Sequence, residues 1–124
     1  MVGMKLSAGA QLKMDVFTQA RRKFDRIHAL VEQYGGTSKG EDALLSPISR
    51  TATEVARLFM QNGYGIMADH ANQIGMLAKR SAAKQTRLRT FRELVASVRQ
   101  AMDHAEKMII EEEKAAHAKP PESE

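Results

Sequence analysis

The sequence predicts an all-α protein, an antiparallel bundle of four to five helices, and three observations predict it. Apolar residues recur at steps of three and four along each long segment, the spacing that aligns them on one helical face. Aromatics make up only 5% of the chain and Trp is absent, so the core must come from Leu, Ile, Val, Met and Ala, a palette that suits helices. Strands are nowhere indicated. At 124 residues the chain is expected to be one domain over residues 1–118. A domain of this size buries about two-thirds of its unfolded surface. Residues 119–124, which include Pro120-Pro121, are expected to form a disordered tail.

The first helix is expected over residues 10–34, where Phe17, Ala20, Phe24, Ile27, Val31 and Tyr34 share a face. Gly35-Gly36 should end it, since glycine readily takes the left-handed cap conformation. A polar loop, GGTSKGEDALL, follows. Ser46-Pro47 should restart helix, with Ser as N-cap and Pro at the first helical position, where its missing N–H costs nothing. Ile48, Ala52, Val55 and Phe59 form that stripe, and QNGYG closes it. A third helix is expected from Ile66 to Arg80 with Ile66, His70, Ile74 and Leu77 inward and Gly75 as a mild weakness. The fourth is the most regular: Leu88, Phe91, Val95, Val98, Met102, Ala105 and Ile109 form a heptad-like seam. No Gly or Pro separates the last two helices, but polar Ser81 and Lys84 fall where a continuous stripe needs apolar residues, so a break is expected near Ser81.

Composition narrows the function. Without cysteine there are no disulfides or thiolate metal sites, and a reducing cytosol is the default compartment. No apolar run approaches the roughly 18 residues of a membrane span. The opening MVGMKLSAGAQLKMDVF carries no signal-peptide core, so the protein is expected to be cytoplasmic, without a membrane partner. No glycine-rich phosphate loop or cysteine nucleophile is present, and the chain is read as a non-enzyme without cofactor. A di-iron bundle needs two Glu-x-x-His units; the one near match is Asp25-x-x-His28, beside the stripe, so no metal is expected. His70 lies in HANQIGML, which resembles the histidine phosphotransfer pattern only in part, with Gln73 where a lysine is usual and Gly75 displaced by one. That reading is kept third.

Charge carries the leading reading. Residues 1–102 hold sixteen basic against eight acidic side chains, and residues 103–124 hold three against seven. A basic body points to an anionic partner, nucleic acid first. With Leu88 at zero on the fourth helix, Val98, Phe91, Met102 and Val95 fall between about 280° and 340°, while Arg99, Arg92, Gln85 and Arg89 fall at about 20°, 40°, 60° and 100°. Arg80, Lys79 and Lys84 continue this shoulder, and the first helix adds Arg21, Arg22, Lys23 and Arg26. Residues 79–99 contain seven basic side chains and one acidic, Glu93, so local pairing cannot neutralise them and they are expected to stay free. Arginine's planar fork pairs bidentately with phosphate. The expected nucleic-acid-binding set is Arg89, Arg92, Arg99, Arg80, Lys84, Arg87, Arg22 and Arg26, reading backbone charge rather than base sequence.

The stretch TRLRTFRELV, Thr86 to Val95, resembles the helix opening of the small all-helical subunit of type III-A CRISPR effector complexes, with Thr86, Leu88, Arg89 and Phe91 matching and Arg87 where that family usually has Gln. LFMQNGYGIM, Leu58 to Met67, is similar to a Gln-Asn-Gly turn in the small subunit of type III-B complexes. Together the two cover about a third of the chain. The resemblance implies a non-catalytic RNA-binding structural subunit of a ribonucleoprotein for antiviral defence. It further implies self-association into stacked copies, with guide and target RNA and the other effector-complex subunits as partners. Arg89 is the one basic residue it carries over. A helical protein–protein adaptor, a dimeric bundle meeting an acidic partner through the same shoulder, is the alternative.

Overall fold

The computed structural model describes residues 6–118, and these form an up-down-up-down bundle of four α-helices without strands. They are α1 (Ala8–Gly36), α2 (Leu45–Gln61), α3 (Gly65–Lys79) and α4 (Lys84–Ala118), with a single 3-10 turn, Glu41–Leu44, before α2. Each helix packs on its two neighbours, so α1 and α3 lie on one diagonal and α2 and α4 on the other. The expected tail, residues 119–124, lies outside the described residues.

Helix lengths set the shape. At 1.5 Å per residue α1 and α4 are about 43 and 52 Å long, whereas α2 and α3 are about 26 and 22 Å. The first turn of α1 and the last turns of α4 therefore run on as a pair past the α2–α3 turn. That pair is tied at its end. Ser7 caps α1 by accepting from the Ala10 N–H at 3.1 Å, and its own N–H donates to Glu113 of α4 at 2.7 Å. The backbone N–H of Ser7 holds the Glu113 carboxyl below the usual carboxylate range.

The core follows the predicted stripes on α1, α2 and α4. Phe17, Phe24, Phe59, Phe91 and Tyr34 are fully buried, as are Ile27, Val31, Ile48, Val55, Val98 and Met102. Burying such a side chain contributes roughly 1.5–3 kcal/mol. Phe17, Phe59 and Tyr64 cluster at one end of the bundle, and Tyr34 meets Phe91 edge-on at 6.0 Å at the other.

Three local expectations are corrected. Gly35 and Gly36 do not end α1 as left-handed caps; both are helical, and Thr37 is the first extended residue. Gly35 instead allows close approach, because a Cβ there would lie 3.0 Å from a methyl of Leu88 on α4 and push that side chain aside. Helix α2 starts at Leu45 rather than at a Ser46 cap, since the 3-10 turn leads straight into it. Pro47 still falls in the first turn, where N–H groups have no helical acceptor. On α3, Ile66 is 75% exposed, and the buried face is Met67, Ala68, Ala71, Ile74, Gly75 and Ala78. Small residues let α3 press close on α2, and a stripe counted from large side chains overlooks them. The break before α4 stands where expected, with Arg80 extended and helix resuming at Lys84.

Candidate nucleic-acid interface

The helical wheel places the α4 arginines beside the seam, and the fold puts α1 against that side. Here α1 presents Arg21, Asp25, His28 and Glu32, and α4 presents Arg92, Arg99, Asp103 and Glu106. Arg92 donates from two nitrogens to the two Glu32 carboxylate oxygens at 3.0 and 2.8 Å, a bidentate pair. Arg99 donates to Asp25 at 3.0 Å, lies 3.0 Å from His28 Nδ1, and stacks over Phe24 at 5.4 Å. Arg21 reaches the other way, to Asp103 at 2.6 Å and to Glu106. Its hydrogen bond to Glu106 moves the Arg21 guanidinium further above its ordinary pKa, and the hydrogen bond from Arg92 holds Glu32 below the carboxylate range.

Two further predicted residues are engaged at the bundle end. The Lys84 ammonium donates to the Thr37 carbonyl at 2.6 Å, lies 3.7 Å from Glu41, and sits 5.7 Å above the Tyr34 ring. Arg87 is 7% exposed, the only charged side chain in the core among the described residues. It donates to Tyr34 Oη at 3.0 Å, to the Leu77 carbonyl at 3.3 Å and to the Arg80 carbonyl. Those carbonyls lie at the carboxyl end of α3, where a helix carries partial negative charge, and the Leu77 carbonyl also accepts the Arg80 N–H at 3.3 Å. Arg87 therefore caps α3 and needs no carboxylate.

The expectation that the shoulder stays unneutralised is thus corrected for Arg92, Arg99, Lys84 and Arg87. The count of seven basic to one acidic compared residues 79–99 with themselves, whereas the partners are on α1 and in the 3-10 turn before α2. The remaining four, Arg22, Arg26, Arg80 and Arg89, are exposed and form no ion pair among the described residues. They do not share one surface. Arg22 and Arg26 point away from the core on α1. Arg89 lines a shallow groove with Gln85, Leu88 and Arg92, and Arg80 lines another between α3 and α4 with Gln73 and Leu94.

Sequence reasoning passed over Arg50 and Arg57. Both are exposed on the outer side of α2, unpaired among the described residues, and border the same groove as Lys79 from the end of α3. This groove is open, about 610 Å³ in volume, with Ser46, Thr53 and Glu54 along it. Glu54 is already 3.4 Å from the Lys23 ammonium. The signal was available: Arg50 and Arg57 are seven apart, opposite the Ile48–Ala52–Val55–Phe59 stripe.

No group of three His, Cys, Asp or Glu side chains among the described residues could hold a metal ion. His28 of the near-match motif sits against Arg99 instead, and half-buried His70 keeps a buried Nδ1 without a hydrogen-bond partner. No helix among the described residues is long and apolar enough to cross a membrane. Comparison with protein-family models, curated proteins and solved structures finds no match to the chain.

Proposed function

We propose that the protein is a non-catalytic, RNA-binding structural subunit, of the kind found in type III CRISPR effector ribonucleoproteins. The observation that carries the reading is the residual charge. Once every internal ion pair is assigned, the arginines Arg22, Arg26, Arg50, Arg57, Arg80 and Arg89 and the lysines Lys13, Lys39, Lys79, Lys107 and Lys114 remain exposed and without an ion pair among the described residues. Unpaired arginines on a rigid helical surface suit a sugar-phosphate backbone. Within the resembling stretch, Leu88 and Phe91 are core residues whose identity packing explains, and exposed Arg89 is the matched residue that packing does not explain. Purified protein should shift a labelled RNA oligonucleotide at about 50 mM salt and release it as salt rises, because phosphate contacts displace counterions. A native pull-down with and without ribonuclease should recover RNA and companion subunits. No retention of RNA at low salt overturns the reading.

A helical adaptor is the second reading, favoured by the exposure of Ile66 at 75% and Leu12 at 68%. Recovery of protein partners that survive ribonuclease, with no RNA, would favour it.

A further inference from the structure

Every cation in a folded chain meets a carboxylate, a helix carboxyl end, water or a ligand. On the α1–α4 seam and at the end of α3 the first two fates account for Arg21, Arg87, Arg92 and Arg99. The α2 groove differs. Arg50 and Arg57 are two helical turns apart, about 10.5 Å along the axis. Lys79 enters from α3, and the one acid on the rim is held by Lys23. Thr53 spends its hydroxyl proton on the Ser49 carbonyl at 2.9 Å, which leaves the Ser46 and Ser49 hydroxyls as donors there, Ser46 the exposed one.

We infer that this groove, with Arg50, Arg57 and Lys79 as its phosphate-contacting residues, is where the RNA backbone seats. The inference rests on the RNA-binding reading and assigns it a site away from the α4 shoulder. Two guanidinium forks in line along one helix favour two phosphates of one strand over a lone anion, and Lys79 adds a point charge across the groove. All four phenylalanines and Tyr34 are fully buried, so these rings offer no stacking platform. Recognition at the groove is therefore by charge and spacing, independent of base sequence.

The test compares two variants that change charge equally: Arg50→Glu/Arg57→Glu/Lys79→Glu in the groove and, as control, Lys13→Glu/Lys39→Glu/Lys107→Glu at exposed, unpaired lysines outside the groove. The probe is a labelled mixed-sequence RNA oligonucleotide read by fluorescence anisotropy over a salt series, with circular dichroism confirming helix content. Wild type should lose affinity with salt at a log–log slope of about −2 to −3, the value for three phosphate contacts. The groove variant should lose the binding and that slope, and the control variant should keep both. The alanine triple at the groove should flatten the slope by about one for each contact removed. Equal loss in both charge-reversed variants overturns the groove assignment and leaves the RNA reading standing. Binding of labelled polyglutamate by a protein that binds no RNA overturns both.

Discussion

Two sets of arginines in this bundle have opposite fates. Along the α1–α4 seam, partners step by the same intervals in opposite directions: residues 21, 25 and 32 of α1 meet 103, 99 and 92 of α4. Antiparallel helices require that order, and it turns a run of positive charge into three cross-links. On the outer side of α2 the one acid beside Arg50 and Arg57 is Glu54, which pairs with Lys23 of α1 instead. Arg50 and Arg57 are spaced by seven, as are Arg92 and Arg99, yet they look onto solvent. Position around the helix, not the density of charge along it, decides whether a cation is structural or available.

The comparison breaks most severely at Arg87. Its guanidinium ends α3 by binding two carbonyls and the Tyr34 hydroxyl in a buried setting. Arg87→Met keeps much of the stem's packing but takes the charged donor from the Arg80 carbonyl and the Tyr34 hydroxyl, while the Leu77 carbonyl keeps the Arg80 N–H, which should destabilise the fold by about 2–4 kcal/mol. Urea denaturation checks this. A loss below roughly 0.5 kcal/mol, typical of a surface substitution, would return Arg87 to the exposed set.

A smaller effect is expected at Arg21, half-buried between Asp103 and Glu106. Arg21→Ala should lower stability by about 1 kcal/mol, the upper end for a pair still reached by water. The matching alanine change at Arg22, its exposed neighbour, should leave the denaturation midpoint nearly unmoved.

The seam also has a pH signature. The Glu32 carboxyl is held below its ordinary value of 4.5 by the hydrogen bond from Arg92. A depressed folded-state pKa contributes stability that is present above the unfolded value and lost as pH falls through the folded one. Thermal melts should therefore show an acid limb beginning below about pH 4.5 that is shallower in Glu32→Gln. Glu32→Arg alone should lower the melting midpoint at neutral pH, and adding Arg92→Glu should restore part of it. Failure of the double change to recover would separate this pair from the register proposed.

Much of the fold could be read from the residues. Phe17 through Tyr34 on α1 and Leu88 through Met102 on α4 bury as their spacing requires, because large apolar side chains leave a clear period. On helix α3 Ile74 buries as its spacing requires but Ile66 does not, since most of the packing face is alanine and glycine, residues whose burial leaves little mark on a hydrophobic stripe. The shoulder was placed correctly around α4 and misjudged in state, because neutralisation depends on which helix lies opposite. Asp25 and Glu32, seven apart on the flank of the α1 stripe, already matched Arg92 and Arg99 in antiparallel order. Only the choice of neighbour was missing, and four helices allow more than one.

The mildest substitutions sharpen the comparison furthest. If Arg50 and Arg57 are spare, changing both to Gln removes no internal partner and leaves every acceptor in the fold satisfied. Stability should then stay within about 0.5 kcal/mol of wild type, or rise slightly as repulsion between unpaired charges is relieved. The same double change at Arg92 and Arg99 orphans Glu32 and Asp25 and should lower the melting midpoint. A folding-neutral pair on α2 beside a destabilising pair on α4 shows in one measurement which arginines the bundle uses and which it presents. Destabilisation at α2 equal to that at α4 would mean that Arg50 and Arg57 are held within the fold, and the groove would lose its free charge.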